Sequence, residues 1–222
     1  MDKEGFQNVL HWWANLAQMR GVERLSWDGA WPWHWKVVQN TAKCESYLQL
    51  HRYLPCFRES EYLETEDSSL LEVDFGQDET LDGSVDLGFE SFLCEYHIVF
   101  HPSYQVPVLY FNIYRPSGTR IAAMECKSFI REFPQDLASF LTQTEHVFEE
   151  TPFLMLHPCK TTDIMKHFRP GQRKSDALFE SKRYFLIWFQ IYGAYLGLNL
   201  SPTFYTSVLE QIDAAEVQSQ KE

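Results

Sequence analysis

The chain has 222 residues, long enough for one well-cored domain and short for two. Hydrophobic residues at 45% and aromatics at 16% exclude a disordered polymer, and a net charge of −12 argues against nucleic acid, which needs a basic face. Five cysteines (Cys44, Cys56, Cys94, Cys126, Cys159), odd in number and without a C-x-x-C pair, speak against a disulfide scaffold or zinc knuckle and point to free thiols in a reducing compartment.

The first residues carry no basic patch followed by an apolar run, so no secretory signal is read there. Phe6, Val9, Leu10, Trp13, Leu16 and Ala17 recur at helical spacing and predict an amphipathic helix ending near Gly21. Period-two alternation then sets in: Trp31, Trp33, Trp35 and Val37 share one face of a strand, read as a core face, and Tyr47 to Leu54 completes a hairpin. Residues 58–88 hold eleven Asp/Glu against a single Arg, while the remainder of the chain is nearly neutral. This segment reads as an acidic, mobile insertion in an otherwise single domain spanning 1–222. A third strand runs through Tyr96, Ile98 and Phe100. A turn at His101-Pro102-Ser103-Tyr104 leads to Val106–Tyr114, apolar on both faces as in a strand covered on both sides, with Pro107 expected at its start. Short helices are expected over Ala122–Ile130 and Leu137–Leu141. A basic loop (Lys166 to Lys174) then leads into one long C-terminal helix whose turns from Gln211 onward look frayed. The apolar stretch Tyr184–Leu200 is short and broken by Gln190, Gly193 and Gly197, which favours a buried helix over a membrane span. The expected class is α+β: an antiparallel four-stranded meander sheet with flanking helices.

Cys159 stands out chemically. The apolar run Phe153-Leu154-Met155-Leu156 and Pro158 keep the chain extended up to it, and Lys160-Thr161-Thr162-Asp163 favour a turn after it, with both threonines read as caps. A thiol at such a junction suits a nucleophile, although a lone cysteine is more often an inert hydrophobe. His157 adds a titratable neighbour. The other four cysteines have no comparable context. No ligand-spaced cluster points to a metal, and no Gly-rich loop points to a nucleotide cofactor.

Two motifs carry a family resemblance. Ser103-Tyr104-Gln105-Val106-Pro107-Val108-Leu109-Tyr110-Phe111 resembles a strand signature shared by the conjugating-enzyme families of autophagy-related proteins 3 and 10. Leu156-His157-Pro158-Cys159-Lys160-Thr161 is similar to their active-site motif. Gln143-Thr144-Glu145-His146, Gly197-Leu198-Asn199-Leu200, the chain length and Thr161-Thr162 after the cysteine look like the protein 10 type. The resemblance implies a ubiquitin-conjugating-enzyme-like fold and a cytoplasmic enzyme of the autophagy conjugation pathway. Such an enzyme takes the modifier (autophagy-related protein 12) from the activating enzyme (autophagy-related protein 7) as a thioester on Cys159. It then passes the modifier to a lysine of autophagy-related protein 5, with no cofactor, no nucleic acid and no stable membrane insertion. His101-Pro102 is followed by Ser103, so the Asn of an ordinary His-Pro-Asn motif is missing; Tyr104 and His157 are the candidates for its catalytic role. The competing readings are a protein 3 type transferase to a lipid amine, a binding module with a silent Cys159, and a cysteine hydrolase.

Overall fold

The computed structural model describes residues 1–19, 34–41, 45–55, 91–126, 140–168 and 176–220. The acidic segment, Trp31, Trp33, Cys44 and Cys56 lie outside these, as does the side chain of Trp35. Helix α1 (Lys3–Met19) is followed by strands β1 (His34–Asn40), β2 (Glu45–Pro55), β3 (Ser91–His101) and β4 (Val106–Tyr114). Next come β5 (Leu141–Glu145) and β6 (Pro152–Leu156), then helices α2 (Thr161–His167), α3 (Ala177–Tyr195) and α4 (Pro202–Ser219).

The sheet is antiparallel with order β1-β2-β3-β4-β6-β5, and its first four strands form the expected meander. The class is α+β as read, but the strand count is corrected from four to six. β6 pairs with β4 through Tyr110↔Met155 and Phe111↔Leu154, and β5 forms the edge beyond it. Leu141 therefore opens a strand where a helix was expected to end. The strand escaped notice because Leu141-Thr142-Gln143-Thr144-Glu145 is polar and has no fully buried side chain, so it lacks an alternating apolar signal. Between Asn112 and Pro152 the strands part, and Asn112 Nδ2 (3.3 Å) and Arg120 Nη1 (2.5 Å) donate to the Pro152 carbonyl across the gap.

One sheet face meets the helices. Leu48, Leu50, Tyr96, Ile98, Phe111, Ile113 and Leu154 pack on Phe6, Leu10 and Trp13 of α1 and on Phe185, Leu186 and Phe189 of α3. Trp13 sits 5.4 Å from Phe185 and 5.2 Å from Phe189, ring to ring. Alternation puts Tyr47, Val99, Val106, Val108, Tyr110, Phe153 and Met155 on the opposite face. There a second apolar cluster forms with Val147 and Phe148 of the β5–β6 turn. β4 is thus buried on both faces, as its apolar run predicts, and Pro107 is its second residue, paired with Phe100.

The expected long C-terminal helix is two helices. Gly197 takes φ +71°, a left-handed conformation that costs a Cβ-bearing residue about 1 kcal/mol, and Leu198 N–H closes back on the Gly193 carbonyl at 2.8 Å. Ser201 then caps α4 by accepting from Phe204 N–H, with Pro202 in the first turn. Nor do the turns beyond Gln211 fray: Ile212 and Glu216 are buried, and Glu216 pairs with Arg183 of α3. The apolar stretch is a core helix, and no helix among the described residues is long and apolar enough to cross a membrane. Of the expected Ala122–Ile130 helix, residues 122–126 form a turn, with Glu125 and Cys126 N–H bonding to the Ala122 carbonyl; 127–130 lie outside the described residues.

Candidate active site

The β4–β6 pairing is antiparallel, so the end of β6 runs beside the start of β4 and the β3–β4 turn. This juxtaposition brings Tyr104, His157 and Cys159 together from positions 55 residues apart. The β3–β4 turn is closed by Gln105 N–H on the His101 carbonyl at 2.9 Å, and Gln105 itself takes φ +55°. That turn presents Tyr104, 40% exposed, toward the His157 segment.

His157 leaves the strand: its N–H reaches the Phe140 carbonyl at 2.6 Å and its backbone turns into a single 3-10 turn, Pro158–Lys160. The strand does not persist through His157, and its ring bends to the backbone. Its Nδ1 accepts from Cys159 N–H at 3.2 Å, an N-cap bond. That acceptor role leaves the proton of the neutral ring on Nε2, which lies 3.1 Å from the Tyr104 hydroxyl and donates to it. The phenol oxygen is thereby an acceptor, and its own O–H is free to donate outward. The two rings meet edge-on, 5.4 Å between centroids.

Cys159 is exposed, whereas Cys94 and Cys126 are buried and their thiols are pushed up to about 11 by that burial. Only a thiol outside the core meets a protein substrate. Two neighbouring backbone donors are already committed: Cys159 N–H to His157, and Thr161 N–H to the Pro158 carbonyl. Lys160 is held over the Phe140 ring at 4.7 Å.

His101, which sequence reasoning treated only as a turn residue, belongs to the same corner. Its ring lies 4.9 Å from Tyr104 and its Nδ1 accepts from Ser103 N–H at 3.3 Å. Burial, with the nearby His157, pushes its pKa down, so it stays neutral at neutral pH. Neither threonine occupies the N-cap of α2; Thr161 instead closes the 3-10 turn with its backbone N–H. Thr161 is buried and donates to the Tyr192 hydroxyl, and the residue in the capping position of α2, Lys160, makes no side-chain cap bond. Lys166, placed in a loop by its charge, lies in α2 with its ammonium 2.9 Å from Asp163. Among the described residues no group of three or more His, Cys, Asp or Glu is placed to hold a metal.

Residues 17–203, Cys159 among them, match the family model described as "Autophagocytosis associated protein, active-site domain". An Arabidopsis thaliana protein named ubiquitin-like-conjugating enzyme ATG10 is 28% identical over 183 residues, covering 76% of this chain and 81% of its own. A Homo sapiens protein of the same name is 35% identical over 125 residues, 53% of this chain and 54% of its own. A solved structure, "Crystal structure of Autophagic E2, Atg10", aligns over 90% of this chain and 98% of its own at TM-score 0.46 and 14% identity, a likeness too slight to carry an argument. On the strength of the family model, which spans most of its length, the chain belongs to the autophagocytosis associated protein family and carries its active-site domain.

Proposed function

We propose that the protein is a cytoplasmic ubiquitin-like-conjugating enzyme of autophagy that carries its modifier on Cys159. The resemblance of its motifs to the protein 10 type names the modifier as autophagy-related protein 12, the donor as the activating enzyme autophagy-related protein 7, and the acceptor as a lysine of autophagy-related protein 5. The observation that carries this reading is an exposed thiol whose turn is capped by His157, which in turn frees the Tyr104 O–H.

Two acyl transfers make up the reaction. The Cys159 thiolate attacks the thioester carbonyl on the activating enzyme; a new C–S bond forms, the old one breaks, and the departing thiolate stays with the activating enzyme. An acceptor lysine, as the neutral amine, then attacks the Cys159 thioester. The C–N bond forms, the amine proton is lost to water, and Cys159 leaves as thiolate. Each transfer passes through a tetrahedral oxyanion, to which the Tyr104 O–H donates. With both nitrogens engaged, His157 acts by capping the turn and orienting Tyr104 rather than as a free base.

Incubation with the activating enzyme, modifier and ATP tests the reading. A species lost on thiol reduction is expected from the parent, and a reductant-resistant ester from Cys159→Ser. Absence of both with every candidate modifier, alongside undiminished partner binding by Cys159→Ala, would instead mark a binding module.

A further inference from the structure

The residue next to Cys159 is a lysine, the same functional group that the transfer scheme uses as acceptor. Lys160 is exposed, like Cys159, and both stand in the single 3-10 turn Pro158–Lys160. An amine tethered one residue from an acyl group meets it as an intramolecular partner, at a far higher effective concentration than a dissolved acceptor.

The side chain is held elsewhere. Its ammonium lies over the Phe140 ring, 4.7 Å from the centroid, and Asp163, the nearest carboxylate in the sequence, bonds Lys166 instead. Phe140 immediately precedes β5, and its carbonyl accepts from His157 N–H at 2.6 Å. One residue thus holds the turn on both sides of Cys159, through its backbone before the thiol and through its ring after it. β6 runs between β4 and β5 in the sheet, and the β3–β4 turn carries Tyr104. Phe140 therefore flanks the end of β6 on the side away from Tyr104. The face of an aromatic ring attracts an ammonium and has no comparable hold on a neutral amine, and only the neutral amine attacks an acyl carbon.

We infer that Lys160 is a self-modification site of the charged protein and that the Phe140 ring guards it, parking the ammonium on the flank away from Tyr104. This rests on Cys159 carrying an acyl group as proposed above. In the step that is held back, the ammonium gives a proton to water and the neutral amine attacks the Cys159 thioester. The C–N bond forms, the C–S bond breaks, the second amine proton passes to water, and Cys159 leaves as thiolate. The modifier is then fixed to its carrier as an amide that no acceptor can collect. A cation–π contact at an exposed site changes such a rate by a factor of about two to five, so the ring slows this loss without abolishing it.

The charged full chain is held without acceptor, residual thioester is reduced at intervals, and acylated Lys160 is followed by peptide mass spectrometry. Phe140→Leu keeps the carbonyl that bonds His157 and removes the ring; it should form the Lys160 amide about two to five times faster than the parent. Phe140→Trp, a better partner for a cation, should form it more slowly than the parent. Lys160→Arg in the Phe140→Leu background should remove the extra reductant-resistant adduct. Equal accumulation of acylated Lys160 in the parent and both Phe140 variants overturns the proposal, and so does extra adduct that survives Lys160→Arg. Should Phe140→Leu fail to fold by near-ultraviolet circular dichroism, Phe140→Trp decides by the same criteria. A short peptide thioester, which exchanges onto Cys159 without the activating enzyme, separates the two readings. A ring-dependent Lys160 amide from that peptide, in a chain that the activating enzyme never charges, defeats the conjugating reading and keeps the guard. Normal enzymatic charging with ring-independent acylation of Lys160 does the reverse.

Discussion

His157 has two ring nitrogens, and both are engaged: Nδ1 accepts from Cys159 N–H and Nε2 meets the Tyr104 hydroxyl. A side chain so placed does its work through others, and the consequence is measurable. Tyr104→Phe removes the one free donor of the pair and leaves the turn capped. Its single-turnover discharge to lysine should slow about ten-fold or more, in keeping with loss of an oxyanion donor, while Cys159 alkylation stays at the parent rate. His157→Ala should slow discharge at least as much, because Tyr104 loses its orienting partner. His157→Asn should recover part of the loss, since asparagine is a good cap and keeps an N–H for the phenol. Equal discharge by parent and Tyr104→Phe would remove the phenol from the chemistry.

At the level of elements, the break between α3 and α4 shows what local pattern can and cannot say. Its signals stand in the sequence: Gly197 where φ is positive, then Ser201 and Pro202 where a new helix is capped. They are masked by Leu198 and Leu200, which read as helical core and are indeed buried, but as a loop folded onto Tyr96 and Arg52. A Cβ on Gly193 would come 2.9 Å from the Leu198 carbonyl oxygen, so the crossing depends on both glycines. Gly197→Ala should destabilise by about 1 kcal/mol or more and Gly193→Ala by a comparable amount, read as lowered urea midpoints without a change in slope. The two-sided apolar run of β4 was legible because burial on both faces leaves a compositional mark. β5 was not, because a polar edge strand is defined by its partner. The candidate site divides in the same way. The turn that carries Cys159 was legible from Pro158 and the residues after it. The Tyr104–His157 contact depends on β4 pairing with β6, and the Thr161–Tyr192 bond on α3 coming within hydrogen-bond reach of α2; neither leaves a periodic trace.

Two polar arrangements tie the whole molecule together. Between α3 and α4, Arg183 bonds Asp213 at 2.6 Å and the buried carboxylate of Glu216. Arg183→Met leaves Glu216 buried without its cation and should cost about 3 kcal/mol, whereas replacing both members with apolar residues should restore much of that loss. On the outer sheet face the ties run between strands. His146 Nδ1 accepts from the Phe148 and Glu149 N–H groups, and its Nε2 faces His97 Nδ1 at 3.2 Å. His97 Nε2 reaches Glu95 at 3.2 Å, and Glu95 also accepts from Gln49 and Tyr114. Burial pushes the Glu95 carboxyl up, but the bonds from His51, His97 and Tyr114 outweigh it and hold the group well below the usual carboxylate range. A carboxylate depressed in the folded state contributes stability above its unfolded pKa, about 4.3 for Glu, and that stability drains away as pH falls below it. Urea midpoints of the parent should therefore hold from neutrality down to that value and then drop. Glu95→Gln should start about 2 kcal/mol lower at neutral pH and lose correspondingly less on acidification, so that the two curves converge in acid. Parallel curves would mean that Glu95 is no more stabilised in the fold than in the open chain.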